Sequence, residues 1–163
     1  MSEPVANGAA AEANGPTFSV EKIYVKDLSL EVPSAPQVFL QAGEPQLEVQ
    51  LNHKAQSIDG VLFDVALSVT VTAKVADKTL FLVEAVQAGI FQILGVPESD
   101  LAPVLGVICP NVLFPYVRET ISDMVNRAGF PPVVLQHMSF DAAYQERLRQ
   151  LQQAQAAPAG TVN

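Results

Sequence analysis

Apolar and polar residues alternate along most of the first half of this chain, and the alternation predicts four long β-strands. The cleanest is Val61 to Val75. Val61, Phe63, Val65, Leu67, Val69, Val71, Ala73 and Val75 share one parity, and Asp64, Ser68, Thr70, Thr72 and Lys74 share the other. Side chains on a strand point alternately to its two faces, so this strand has one apolar and one polar face. Gln46 to Ala55 follows the same rule, with Leu47, Val49, Leu51 and Ala55 set against Gln46, Glu48, Gln50 and Asn52. Thr17 to Val32 predicts the first strand, ended by Pro33 and Pro36 because proline cannot donate to a ladder. On such a strand Asp27 and Glu31 share a face, about 13 Å apart. Thr79 to Phe91 predicts the fourth strand. It is apolar on both faces, with Leu80, Leu82, Val86 and Ile90 against Phe81, Val83, Ala85 and Phe91. Glu84 interrupts the first of these faces and Gln87 the second. Ser57 to Gly60 and Ala76-Asp77-Lys78 read as turns, and such short connections favour an antiparallel meander.

From Pro97 the period becomes helical. Glu98 and Asp100 suit a helix start, where the dipole favours negative charge. Ile108-Cys109-Pro110-Asn111 is expected to break that helix. Leu113, Phe114, Val117, Ile121, Met124 and Val125 then fall on one stripe, with Gly129 as a left-handed cap. Phe130-Pro131-Pro132 reads as an extended connection. Ser139 is placed to cap a final helix with Asp141 in its first turn. The stripe of that helix is Phe140, Ala143, Tyr144, Arg147, Leu148 and Leu151. Strands followed by helices imply an α+β fold, a four-stranded antiparallel sheet with C-terminal helices packed against it. The expected divisions are a disordered tail at 1–16, one domain at 17–151 and a second disordered tail at 152–163.

One amphipathic helix covers one face of a small sheet, and not both faces of the last strand. The excess has to be buried against further copies of the chain or against an apolar ligand. Composition points the same way: 49% of residues are hydrophobic and only 16% are charged, against about 25% charged in average domains. A net charge of −8 argues against a nucleic-acid groove, which needs clustered Lys and Arg. One cysteine and two histidines are too few for a His/Cys metal site. The first 16 residues lack the basic and apolar regions of a signal peptide. No apolar run reaches the roughly 20 residues of a membrane span. The chain is therefore expected to be cytoplasmic, without membrane insertion.

Candidate chemistry is sparse. A nucleophilic cysteine needs a base and an electropositive setting; His53 and His137 are the only imidazoles, and Cys109 reads better as a small hydrophobe. Asp27 and Glu31 are too far apart for a glycosidase pair, which needs about 5 to 9.5 Å. Gly89 and Gly95 are followed by apolar residues, without the Lys-Ser or Lys-Thr of a phosphate loop. The chain is therefore not read as an enzyme, and no cofactor is expected. In the connection Pro33 to Pro45, Val38, Phe39 and Leu40 either tuck onto the core or line a groove.

The run Cys109-Pro110-Asn111-Val112-Leu113-Phe114-Pro115-Tyr116-Val117-Arg118-Glu119 resembles the signature of the SecB family of protein-export chaperones. Ile23 to Pro33, Ala35-Pro36, Phe39, Gly89-Ile90-Phe91, Phe130-Pro131 and Phe140-Asp141-Ala142 match in the same order, so the resemblance covers about Phe18 to Leu151. It implies a homotetramer, a dimer of dimers, that holds unfolded precursor proteins in the cytosol without ATP and passes them to the translocation ATPase SecA. It places an acidic docking patch for the zinc-bearing tail of SecA on Asp27, Glu31, Leu82 and Glu84. It places the client groove on Phe39, Leu47, Val49, Leu51 and Tyr144, and the oligomer contact near Phe81, Val83, Ala85 and Gln87. Zinc belongs to the partner in this scheme. Gly43 stands where relatives carry an aromatic residue, which implies a shallower groove wall. Two other readings remain open on the residues alone: a relative dedicated to one client such as an antitoxin, and a carrier of a small apolar ligand. A carrier needs an enclosed cavity of a few hundred Å³; a chaperone needs open grooves tens of ångströms long.

Overall fold

The computed structural model describes residues 15–156. Strands β1 (Thr17–Glu31), β2 (Gln46–Ser57), β3 (Leu62–Val75) and β4 (Lys78–Leu94) form one antiparallel sheet in the order β1-β4-β3-β2. The last three strands make the expected meander, and the connection after β1 carries the chain across the sheet. Strands β1 and β2 are thus the two free edges. Apart from Gly15 and Pro16, the tail expected at 1–16 lies outside the described residues.

β1 does not alternate as a straight strand would. Its pairing with β4 slips between Val20 and Lys22 and again between Val25 and Asp27. Each slip is a β-bulge, and each extra residue exchanges the two faces. The result sorts the strand by polarity. Phe18, Val20, Ile23, Val25, Leu28 and Leu30 share the side of Phe91, Gln87, Ala85 and Val83; Lys22, Tyr24, Asp27, Ser29 and Glu31 share the other. Asp27 and Glu31 both follow the second bulge, so they keep a common face. A third bulge, at Leu80, lies between the pairs Ala73–Phe81 and Lys74–Thr79.

The helices lie on the first of these sides. A short helix α1 (Glu98–Pro103) runs through a π-helical turn, Val104–Ile108, into α2 (Cys109–Arg127). The expected break at Ile108–Asn111 is absent, because the wider turn absorbs it: the amide of Cys109 bonds to the carbonyl of Val104, five residues back. Pro110 then sits in the first turn of α2, where its missing N–H does little harm. Leu113, Val117, Ile121 and Val125 are fully buried on Val65, Leu67, Val69, Val71 and Val83 of the sheet. Each such side chain contributes about 1.5–3 kcal/mol on burial. By length and composition the helical run Glu98–Arg127 would also suit a membrane span, and its packed stripe on the sheet accounts for part of that apolar character. Gly129 ends α2 with a φ of 89°, as a left-handed cap should.

Helix α3 (Phe140–Ala156) starts where expected. The Ser139 hydroxyl accepts a hydrogen bond from the Ala142 amide at 3.1 Å. The helix continues past the domain end expected at Leu151, so residues 152–156 are helical; the rest of that expected tail lies outside the described residues. Its apolar stripe is not packed as a core stripe. Only Phe140 is buried, edge-on to Phe114 at 5.8 Å, and Leu148 and Leu151 stay exposed.

Candidate functional site

An apolar track follows the helix side of edge strand β2. Leu47, Val49, Leu51, His53 and Ala55 point to that side, opposite Ala73, Val71, Val69, Leu67 and Val65 of β3. Leu47 and Val49 are 48% and 49% exposed. At about 3.3 Å per residue the track from Leu47 to Ala55 is about 26 Å long.

A pocket opens at each end. The pocket at the Leu47 end has a volume of about 270 Å³ and is lined by Leu47, Leu80, Phe81 and the connection Phe130 to Val134. The bulge at Leu80 turns that side chain toward it. Phe130 holds this end together: its ring lies 5.0 Å from Phe81 and 5.2 Å from Phe39. The three apolar residues of the β1–β2 connection divide their work. Val38 is buried in the core, Phe39 lies half exposed on Phe130, and Leu40 is exposed. Gly43, in the same connection, has a φ of 136°, and a Cβ there would stand 2.7 Å from Val75. A side chain at this point would meet both backbone strain and a packed neighbour.

The pocket at the Ala55 end is larger, about 830 Å³, and takes residues from both faces of β2. His53 and Ala55 enter from the helix side, Lys54 and Gln56 from the other, and Tyr144, Arg147, Leu148 and Leu151 of α3 close it. Tyr144 reaches it by lying against Gly106 of the π turn, where a Cβ would stand 2.9 Å from the ring. Burial, and then the charge of Arg147, push the pKa of His53 down.

The opposite face of the sheet is open and carries the acidic group. Glu31 pairs with Leu82, Ser29 with Glu84, and Asp27 with Val86. The structure therefore brings Asp27, Glu31, Leu82 and Glu84 onto one face of two neighbouring strands, where directly opposed Cα atoms lie about 4.5–5.5 Å apart. Glu84 accepts a hydrogen bond from Thr70 at 3.1 Å. Further along this face Asp64 is buried and fully engaged. It accepts from Tyr24 at 2.9 Å, Lys26 at 2.9 Å and Gln56 at 3.2 Å.

Phe81, Val83, Ala85 and Gln87 are placed differently from the expectation. They are 3%, 0%, 1% and 4% exposed in the single chain. They share the sheet side that α2 covers, and Gln87 is fixed there by a bond to the Tyr24 carbonyl at 3.0 Å and one from Thr120 at 3.5 Å. Side chains already buried have no area left to bury against another protomer. Within the single chain they are the seat of α2. Cys109 is likewise buried in the core, and burial pushes its pKa up to about 12, so the thiolate a nucleophile requires is suppressed.

Sequence reasoning missed the connection Phe130 to Val134 as part of the groove. The signal was there: Phe130-Pro131-Pro132-Val133-Val134 is a loop richer in apolar residues than a solvated loop requires. Lys54, His53 and Arg147 carried no such signal, because only the fold brings β2 and α3 together.

The fold and its surfaces define a class: an α+β protein with open apolar grooves along a sheet edge and a charged face on the other side of the sheet. The SecB family, described as "Preprotein translocase subunit SecB", matches residues 11–151. The chain belongs to the SecB family, a family of export chaperones and not of enzymes. It is similar to the protein-export protein SecB of Chromobacterium violaceum, 58% identical over 145 residues that cover 89% of this chain and 93% of that protein. The SecB of Methylobacillus flagellatus is 51% identical over 149 residues, 91% of this chain and 95% of that protein. Among solved structures, a SecB-like chaperone of Mycobacterium tuberculosis in complex with an antitoxin peptide shares the fold, with a TM-score of 0.63 at 19% identity. That match covers 75% of this chain and 91% of that one.

Proposed function

We propose that this chain binds unfolded precursor proteins in the cytosol, keeps them competent for translocation without consuming ATP, and hands them to SecA. The observation that carries this reading is the apolar track on β2. It is about 26 Å long, half exposed, and ends in pockets, a form suited to an extended chain and not to a compact ligand. Client contacts run over Phe39, Leu47, Val49, Leu51 and Tyr144, joined by Phe130 and Val134. Affinity grows as one client wraps several linked grooves. Membership among export proteins at 58% identity favours general export over a single dedicated client.

The open acidic face is the docking surface for the tail of SecA. Asp27, Glu31 and Glu84 around Leu82 suit a basic segment with one apolar contact. Such charges set encounter rate and register more than affinity.

The working unit is a homotetramer, a dimer of dimers. The contact is moved from the Phe81 face to the apolar side of edge strand β1. Phe18, Val20, Val25 and Leu28 are 39%, 41%, 46% and 39% exposed there. Four large apolar side chains in one row on an edge strand favour burial against a second copy. The reading as a whole is tested by asking whether the protein arrests refolding of a slowly folding precursor in the absence of nucleotide; no arrest overturns it.

A further inference from the structure

We propose that the groove beside β2 has two unlike ends: its Leu47 end takes an apolar side chain of the client, and its Ala55 end takes a carboxylate side chain, held by Lys54 and Arg147. The inference rests on the proposed client groove and goes beyond it by naming the kind of segment the groove selects. The pocket at the Leu47 end is lined by proline, leucine, phenylalanine and valine alone. The pocket at the Ala55 end is different. Lys26, Lys54 and Arg147 line it, three of the nine lysine and arginine residues of a chain whose net charge is −8. Among the described residues Asp64 is the one carboxylate in that lining, and Lys26 meets it at 2.9 Å. Those two charges offset each other, and the Asp64 oxygens are further engaged by Tyr24 and Gln56. Lys54 and Arg147 remain. Among the described residues neither forms an ion pair.

Exposed cations alone would be an ordinary solvated surface. Their place in the fold argues for more. They come from separate elements, β2 and α3, and converge at the end of the apolar track, about 26 Å from the apolar pocket. His53 adds no charge there, since burial and then Arg147 lower its pKa; it offers a ring nitrogen for hydrogen bonding instead. Tyr144, Leu148 and Leu151 supply apolar walls, and a lower local dielectric strengthens the pull of a cation on a carboxylate. An extended client rises at about the same rate as β2, so the two ends of the groove are about eight residues apart along it. That is an even number, so both side chains leave the same face of the extended client. The segment selected has an apolar anchor and, about eight residues away, an Asp or Glu.

The test measures binding of labelled peptides to the full chain by fluorescence anisotropy, at low and high salt. Two unfolded peptides, amidated at the C-terminus, carry the same leucine-rich end; one has a glutamate about eight residues from it and the other a glutamine there. The parent protein should bind the glutamate peptide about three- to tenfold tighter at low salt, the scale of exposed ion pairs. The advantage should fade at high salt. In the double variant Lys54→Gln, Arg147→Gln the ratio of the two affinities should fall to about one. That ratio does not respond to a damaged fold, which weakens both peptides alike. A third peptide, with the glutamate moved beside the leucines, should lose the advantage. Equal binding of the first two peptides by the parent, or an advantage that survives in the double variant or in the third peptide, would overturn the cationic end while leaving the groove standing. A parent protein that binds none of the peptides would overturn both.

Discussion

Replacing Leu47 and Val49 together by serine removes the large exposed apolar side chains at one end of the track and little else. Both side chains are about half exposed, so about half of each remains to be covered by a client. Full burial of such a side chain is worth about 1.5–3 kcal/mol, which leaves about 1 kcal/mol each for binding. The pair should therefore cost about 2 kcal/mol per groove, or about thirtyfold in Kd for a peptide short enough to reach only one groove. A long client bound at several linked grooves should lose more, since the deficit recurs at each. The assay is fluorescence anisotropy with a labelled unfolded peptide, and sedimentation of the variant in parallel. The other half of each side chain packs on β3, so the melting point should drop modestly while the assembly persists. A variant that stays assembled and binds the peptide within about threefold of the parent would refute the placement of the groove.

Asp27→Ala, Glu31→Ala and Glu84→Ala should each weaken binding of the SecA tail, and the attraction should fade with salt, because the Debye length is roughly 8 Å at physiological ionic strength. Calorimetric titration at low and high salt checks this; salt-independent binding would reduce the face to a solvated surface. Val83→Asp should destabilise the chain itself by about 3–5 kcal/mol, as an unpaired buried charge does, because Val83 is fully buried in one protomer. Urea unfolding decides it, and a variant that only dissociates would restore the Phe81 face as an interface. The lowered pKa of His53 makes the unfolded chain the better proton acceptor. Its contribution is full above the usual value of about 6.5 and is lost as the pH falls through the depressed folded value. The melting temperature should decline from about pH 7 toward about pH 5, less steeply in His53→Gln; parallel profiles would count against the assignment.

The strands were legible because alternation is a direct record of which face meets the core. It failed at β1 for a physical reason. A bulge inserts one residue without any signature of its own, and only the shift of apolar parity from Phe18 and Val20 to Ile23 and Val25, and back to Leu28 and Leu30, betrays it. Proline at 110 reads as a break, yet a π turn upstream lets the helix continue. The apolarity of β4 on both sides suggested a second chain over Phe81. Sequence alone does not say which face the molecule's own helix takes, and α2 takes that one. Leu47, Val49 and Leu51 could be read off β2 because an edge strand beside a helix leaves its apolar side half open. The pocket between Lys54 and Arg147 could not, since it joins residues more than ninety positions apart in the sequence.

The central claim is that the β2 track holds unfolded chains. It is tested most directly by diluting a denatured, slowly folding precursor into buffer with the parent protein, without nucleotide, and following recovery of its native fluorescence. The account predicts that folding stops in the presence of the parent protein and proceeds in the presence of the Leu47→Ser, Val49→Ser double variant. Folding at the unassisted rate with the parent protein present, or equal arrest by the double variant, would contradict it.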